Sequence, residues 1–421
     1  MALLLFILLA VFIVINVPIA ISLALASIII FALIGEIPLV ILPQKMFAAL
    51  DSFPLLAAPF FILAGKLMEV GGISERLIQF AQSLVGQFKG GLAHVSLVAC
   101  MFFAAISGSA SATTAAIGGI MIPAMIKAGY DRNFATAIQA VGGTTGIIIP
   151  PSVPLVLYGV SAGVSISSLF IAGIVPGLLI GFSLMVIAYF ISRKKGYGSD
   201  VEKFKVKNIW TSFKEAILAL LMPIIILGGI YGGLFTPTEA SVVAVVYGFI
   251  IGVFVYKKID FKAFKGMLVS SVVTTSVILF IISSASIFGM LLTREKVPQS
   301  VATSLMEANL PPLVILLLIN LLLLVVGTFM ETIAAIIILT PILLPVATQI
   351  GLDPIHFGII MTANLAIGLV TPPVGVSLFV GSQIGNTKLE PLVKAAFPFI
   401  IMMIIDILLI SFIPQISLLS L

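Results

Sequence analysis

Cysteine occurs once in 421 residues, histidine twice, tryptophan once, and only 9% of the chain is charged. A single cysteine, Cys100, forms no disulfide within its chain, and in its apolar run packing is the expected role. His94 and His356 stand alone, without companions at metal-ligand spacing, so neither is expected to hold a metal. Clustered His, Asp or Cys at reactive spacing is missing too, which argues against proteolytic, acyl or phosphoryl chemistry, and no enzyme is expected. No Walker motif occurs, which excludes direct ATP drive by this chain. Intramembrane Arg or Lys is also lacking across the serine- and proline-rich segments described below.

What the chain has instead is apolar length. It is 61% hydrophobic, a balance that no soluble domain carries. Runs near the roughly 20 residues that a membrane span needs recur from Leu3 to Leu419, continuous rather than alternating. A polytopic all-α membrane protein surrounded by lipid is expected. The apolar start, Ala2 to Phe31, has no A-x-A-like cleavage site and reads as mature structure.

The net charge of +5 reads as topology rather than nucleic-acid binding. Seven of the 21 Lys and Arg lie between Arg193 and Lys214, and four more between Lys257 and Lys265. Short basic loops stay cytoplasmic. Two spans, about 217–234 and 238–256, separate these loops, so both can lie on one side, with "GGLFTPTEA" facing outward or lying shallowly in the outer leaflet. Trp210, in the basic linker, reads as an interfacial anchor.

The chain also repeats itself. Pro123 and Pro345, Gly129 and Gly351, Asp131 and Asp353, Gly146 and Gly368, and Pro150-Pro151 and Pro372-Pro373 all stand 222 positions apart. Pro18 and Pro237 make a weaker pair. The loop "KAGYDR" at 127–132 is basic, while its partner "QIGLDP" at 349–354 is not, and no Lys or Arg follows Lys394. Equivalent loops thus face opposite sides, which describes an inverted-topology repeat. The expected organisation is a first repeat over 1–192, a cytoplasmic linker over 193–214 and a second repeat over 215–421.

Six Ser, Thr or Gly residues crowd into Ser107–Thr114. The apolar runs on either side, Leu92–Ile106 and Thr114–Ile126, span only about 20 Å each at 1.5 Å per residue, short of the roughly 30 Å bilayer core. Lys89 and Lys127 bracket them. A re-entrant hairpin over 91–126 is therefore expected, its tip "SGSASAT" facing a cavity. A second is expected over 313–347, with the tip "GTFMETI". After each comes a broken helix, over 133–160 and 356–381, at "GGTTGIIIPPS" and "NLAIGLVTPPVG". Paired prolines remove amide donors and free carbonyls. In hydrocarbon such carbonyls need a partner, and a dehydrated Na⁺ is a hard, oxygen-seeking one. The competing reading is that the small residues only allow close helix packing.

The motifs "SGSASATTAAIGGIMIPAM", "GGTTGIIIPPS", "GGLFTPTEASVVA", "GTFMETIAAIIILTPILLPVA", "GLDPIHFGIIM" and "NLAIGLVTPPVGVSLFV" resemble the large membrane subunit of TRAP (tripartite ATP-independent periplasmic) transporters, over essentially Ala2–Pro414. The resemblance implies Na⁺-coupled secondary uptake of an organic acid across the bacterial inner membrane. It implies a periplasmic substrate-binding protein and a small four-helix subunit as partners, the latter a separate chain here. It also implies an elevator-type transport domain moving against a scaffold, an architecture shared with elevator proteins of the ion-transporter superfamily. Carried over by motif, one Na⁺ would sit among Ser107, Ser109, Ser111, Gly146 and Ile149, and a second among Gly327, Met330, Gly368 and Thr371. The acid, a sialic acid-like sugar acid or a C4-dicarboxylate, would sit near Ser109, Ala110, Thr113, Thr144, Thr145, Thr332 and Asn364. Helix N-termini at the hairpins would stabilise its carboxylate.

Three carboxylates have two readings each. Glu239 is a helix-start residue or a functional carboxylate, and Glu331 is a tip cap or part of the ion field. Asp406 is a structural or partner contact or a functional intramembrane acid. Residues 74–90 are amphipathic, with Leu77, Ile78, Phe80, Ala81, Leu84, Val85 and Phe88 on one stripe, and read as an interfacial arm. Val297–Asn309 is its expected counterpart. A re-entrant-loop ion channel and a stand-alone Na⁺/anion symporter are the alternatives. Two dissimilar tips in one chain favour a transporter.

Overall fold

Proline and glycine punctuate the apolar runs, and many helices begin or end beside one, although Pro123, Pro176, Pro223, Pro341, Pro345 and Pro398 lie inside helices. The computed structural model describes residues 1–35, 38–198, 206–307, 310–419 and 421. The first part of the chain forms α1 (Ala2–Val14), α2 (Ile19–Ile34), α3 (Ile41–Ala48), α4 (Ala57–Val70) and α5 (Ile73–Val85). Then come α6 (Gly91–Ser107), α7 (Ala110–Lys127), α8 (Arg132–Gly143), α9 (Val153–Ala162) and α10 (Ile166–Lys195). The second part forms α11 (Val206–Tyr231), α12 (Pro237–Ile250, continued as a π-helical turn to Val255), α13 (Phe261–Arg294) and α14 (Val297–Glu307). It ends with α15 (Pro312–Phe329), α16 (Thr332–Gln349), α17 (Pro354–Gly368), α18 (Val376–Gly385), α19 (Leu389–Phe412) and the short α20 (Gln415–Leu418). Among the described residues nine helical stretches are long and apolar enough to cross a membrane, and no strand occurs.

The offset of 222 extends to helix boundaries. Ala110 and Thr332 open α7 and α16, Lys127 and Gln349 close them, and Arg132 and Pro354 open α8 and α17. The two broken helices run antiparallel. Arg132 Nη1, at the start of α8, donates to Gly385 O at the end of α18 at 3.1 Å. Tyr158 Oη, in α9, donates to Pro354 O at the start of α17 at 2.6 Å. The packing repeats in the same sense: α9 lies on α16 as α18 lies on α7, and α10 on α17 as α19 on α8. Each half therefore completes the hairpin of the other.

The hairpins are longer in the arm and shorter in the tip than the apolar runs suggest. Arms α6 and α7 have 17 and 18 residues, and α15 and α16 have 18 each, about 26–27 Å at 1.5 Å per residue. Only Gly108 and Ser109 lie outside the helices in the first tip, and only Met330 and Glu331 in the second. The serine tract is accommodated within the helices, and Thr113 Oγ1 is satisfied there by donating one turn back to Ser109 O at 2.8 Å. Both ends of the first hairpin lie beside the end of α10. Gly90 N donates to Tyr197 O, and the Tyr130 and Tyr197 rings stack at 4.7 Å. The hairpin thus enters from the side of the basic linker. That linker is helical at both ends, to Lys195 and from Val206, and 199–205 lie outside the described residues.

The amphipathic arm is shorter than its stripe. Helix α5 buries Leu77, Ile78, Phe80 and Ala81 but ends at Val85, and Phe88, placed on the stripe by periodicity, is 49% exposed. Gly86 and the left-handed Gly90 (φ +76) turn the chain into α6 before the stripe can complete another turn. Its counterpart α14 ends at Glu307, and 308–309 lie outside the described residues.

Candidate functional site

The first tip is built by capping. Gly108 takes the left-handed conformation (φ +58), its amide donating back to Ala104 O. Ser109 is extended and N-caps α7, its hydroxyl accepting from Ala112 N at 3.4 Å. A Cβ on Gly108 would stand 3.1 Å from Pro151 O and 3.2 Å from Val153 N, so the tip sits directly on the first break. A Cβ on Gly146 would meet Ser109 O at 2.5 Å and Thr113 Oγ1 at 2.6 Å, inside normal carbon contact distance. Ser107, Ser109, Thr113 and Gly146 thus converge.

Their oxygens form a directed chain. Thr113 Oγ1 donates to Ser109 O at 2.8 Å, so the 2.8 Å pair of Ser107 Oγ and Thr113 Oγ1 is satisfied with Ser107 donating. Ser109 Oγ and Ser111 Oγ lie 3.3 Å apart on the exposed side. The break adds a carbonyl. Pro150 and Pro151 have no amide, so Gly146 O and Ile147 O lose their helical donors. Ser152 Oγ replaces one by donating to Ile147 O at 2.7 Å. Gly146 itself lies against Ser109 O and Thr113 Oγ1. Ile149 turns its side chain toward Met101, Ala104 and Gly177. Ala110 is buried, its carbonyl 2.9 Å from where a Gly143 Cβ would stand. Thr144 and Thr145 are buried, and each hydroxyl donates at 2.7 Å into its own helix, to Val141 O and Gly142 O. Only their lone pairs are left to offer.

The second site follows the same plan with different details. A Cβ on Gly368 would stand 2.5 Å from Gly327 Cα and 2.7 Å from Gly327 O, so the two backbones touch. Met330 and Thr371 each lie three residues beyond that contact, Met330 extended at the tip and Thr371 half-buried at the break. Thr371 Oγ1 donates to Ile367 O at 2.8 Å. Here the broken helix mends itself more fully: Gly368 O accepts from Thr371 N, and Leu369 O from Ser377 N, each at 3.0 Å. Both Pro-Pro bonds are cis. Glu331 N-caps α16, accepting from Ile333 N at 2.9 Å. Thr332 Oγ1 is buried without a hydrogen-bond partner.

Asn364 is held in a network that the sequence reading missed. Its amide donates to Asn320 Oδ1 at 2.7 Å and Ile360 O at 2.8 Å, while Asn320 Nδ2 donates to Ser411 Oγ at 3.1 Å. Asn364 Oδ1 is buried and unpartnered. The signal was present, since Asn320 is the one amide in the apolar run of α15.

The other singled-out residues are placed as follows. Glu239 forms a full capping box with Thr236, its carboxylate accepting from Thr236 N at 2.8 Å. Asp406 accepts from the Ser183 hydroxyl, joining α19 to α10. His94 lies against Phe88 and Tyr189, and His356 Nδ1 lies 3.1 Å from Ser417 Oγ. Cys100 is buried beside Gln139. Trp210 is 60% exposed and carries Lys214 Nζ 5.2 Å from its ring.

Two opposed hairpins, each seated on a broken helix inside a multi-pass helical protein, define a secondary-transporter fold. Residues 6–416 match the family model for the tripartite ATP-independent periplasmic transporter, DctM component, and the chain belongs to that family, multi-pass proteins of the bacterial inner membrane. It is 48% identical to an isethionate TRAP transporter permease protein of Oleidesulfovibrio alaskensis, over 97% of this chain and 64% of that one. It is 44% identical to a C4-dicarboxylate TRAP transporter large permease protein of Pseudomonas aeruginosa (89% and 87% covered). It is 43% identical to a sialic acid TRAP transporter large permease protein of Vibrio cholerae (89% and 88% covered). The fold is also that of the Alcanivorax borkumensis YdaH transporter, with TM-score 0.62 at 15% identity over 88% of this chain and 86% of that one.

Proposed function

We propose that this chain is the large membrane subunit of a transporter that carries a small organic anion inward, driven by Na⁺. The observation that supports it best is the pair of seats, Gly146 against Ser109 and Gly368 against Gly327, 222 residues apart. In this reading one ion is held by Ser107, Ser109, Ser111 and the main chain of Gly146 and Ile149. A second is held by Gly327, Met330, Gly368 and Thr371. Backbone and hydroxyl oxygens suit an alkali cation, which needs hard donors and no fixed negative charge. The anion lies near Ser109, Ala110, Thr113, Thr144, Thr145, Thr332 and Asn364. The buried, unpartnered hydroxyl of Thr332, a donor free for a carboxylate, supports that placement.

The hairpins, broken helices, α10 and α19 move as one body against a scaffold of α1–α4 and α11–α13, with α5 and α14 as connecting arms. The reciprocal packing of each half on the other half's hairpin supports a single moving unit. The relatives' names span a sulfonate, dicarboxylates and a sugar acid at 43–48% identity. The shared chemistry is therefore a small organic anion, and a partner binding protein selects among them. A small membrane subunit and a periplasmic binding protein complete the complex, as the tripartite family description suggests. Uptake into proteoliposomes tests the reading. Isethionate, succinate and sialic acid are offered with their candidate binding proteins, with and without an inward Na⁺ gradient. Uptake equal with and without Na⁺ rejects the coupling, and uptake without any binding protein favours the stand-alone symporter.

A further inference from the structure

Four helices begin at a tip or a break rather than at a face: α7 and α16 after the tips, α9 and α18 after the breaks. The first amides of such a helix have no partner inside it. Three of the four starts are capped by a side chain. Ser109 accepts from Ala112 N, Ser152 from Leu155 N, and Glu331 from Ile333 N. The start of α18 is different. Its cap is Gly375, in the left-handed conformation (φ +60), and no side chain bonds there. The repeat shows what is missing. Val374 stands 222 positions beyond Ser152, so "PPS" in the first half is "PPV" in the second.

Two donors are left over at that end. Val376 N, the first amide of α18, has no acceptor among the described residues. Ser377 Oγ is fully buried and has no hydrogen-bond partner. The next amide is used, since Ser377 N donates to Leu369 O at 3.0 Å. The depth is that of the proposed site. Helix α18 has 10 residues, about 15 Å at 1.5 Å per residue, and Arg132 holds its far end at the face. Its start therefore lies near the middle of a core of roughly 30 Å. Going inward, Gly385 lies against Thr136 and Gly381 against Thr136 and Ala140, so the start stands level with Gly143, which lies against Ala110 and Thr114. Pro372 and Pro373 are exposed, whereas Pro150 and Pro151 are buried. Irregular backbone exposed at that depth is tolerated where it lines a water-filled space.

We propose that the uncapped start of α18 is the seat of the substrate's acid group, a carboxylate or sulfonate that accepts from Val376 N and Ser377 Oγ. The inference rests on the reading of the chain as an organic-anion carrier, and it adds these two donors to that site. A helix N-terminus favours negative charge, and hydrogen bonds to a charged oxygen are the stronger kind. The substrate takes the place of the side-chain cap that the other three starts carry. Thr371 O lies 3.3 Å from where a Gly375 Cβ would stand. The acid group and the second proposed ion are thus neighbours, and opposite charges at close range favour each other's binding.

The test compares two variants of the full chain, with isethionate, succinate and sialic acid as probes in the presence of Na⁺. Ser377→Ala removes a hydroxyl that bonds to nothing, so the unliganded protein keeps its unfolding temperature. The rise in unfolding temperature that a probe gives the wild type is largely lost, and KM for uptake increases about tenfold. Val374→Asp puts a carboxylate where the first half has Ser152. It can accept from Val376 N as an Asx turn does, which closes the seat and abolishes the probe's effect. If Val374→Asp is not recovered folded, Ser377→Ala decides alone. A wild-type response to the probes in Ser377→Ala overturns the proposal. So does a fall in its unliganded unfolding temperature, which would make the hydroxyl structural. The two readings separate in the wild type. If no probe is taken up but the probes still stabilise the protein through Ser377, the carrier reading fails and the anion seat stands. If uptake is intact and Ser377→Ala has an unchanged KM, the seat fails alone. If the probes are neither taken up nor stabilising, both fail.

Discussion

The backbone of Gly368 lies against that of Gly327, so closely that a methyl group on Gly368 has no room, its Cβ falling 2.5 Å from Gly327 Cα. This contact joins the second hairpin to the second broken helix without any side chain. Close approach of this kind is available only to glycine. Gly368→Ala is expected to cost about 1–3 kcal/mol by overpacking and to reduce uptake at least about tenfold. Gly119→Ala, where a Cβ meets nothing within 4 Å, is the matched control and should behave as wild type. Thermal unfolding in detergent and initial uptake rates check both. Equal behaviour of the two variants would show that the seat does not matter.

Ser107 donates to Thr113, which donates to Ser109 O. Ser107→Ala removes the first donor and one oxygen from the tip. Sodium-dependent uptake should be lost while the protein still purifies as a folded monodisperse species. Ser111, on the exposed side of the cap, bonds only to Ser109 Oγ in this cluster, so Ser111→Ala should weaken Na⁺ activation less. Titrating uptake against Na⁺ concentration distinguishes the two. Full activity in Ser107→Ala would remove the first ion site as proposed.

Asp406 and Ser183 bind α19 to α10 in a buried, apolar setting, and Asp406 Oδ1 has no partner. Ser183→Ala leaves the carboxyl without a donor and should destabilise by about 1–3 kcal/mol. Asp406→Leu with Ser183→Ala removes both partners and should recover much of that loss. A double-mutant cycle on unfolding midpoints measures the coupling. Additive effects would show that the pair contributes nothing jointly.

Glu239 closes a capping box at the start of α12, at the water-exposed end. Its role there is local, to satisfy the first amides of the helix. Glu239→Gln can still accept from Thr236 N and should transport within about twofold of wild type. A tenfold fall in uptake with normal expression would make it a functional carboxylate after all.

The repeat, the two hairpins and the two breaks were legible because membrane interiors leave so few options. Lipid forbids unpaired backbone, so Pro-Pro, Gly and clustered hydroxyls announce departures from helix. Helix boundaries at the tips were misjudged for a local reason. Serine and threonine can bond back to their own helix, as Thr113 does, and composition alone does not show which they choose. Phe88 was misplaced because periodicity carries no stop signal of its own, and Gly86 and Gly90 end the helix early.

Order along the chain was enough to set the class of protein, the inverted symmetry and the segments that form the hairpins and breaks, since these follow from spacing and hydropathy. Pairing across the chain was not. That Asn320 meets Asn364, that Ser183 meets Asp406 and that Gly146 closes on Ser109 all required the folded molecule. Apolar helix faces pack in many ways at similar energy, and only the three-dimensional arrangement selects which polar groups become neighbours.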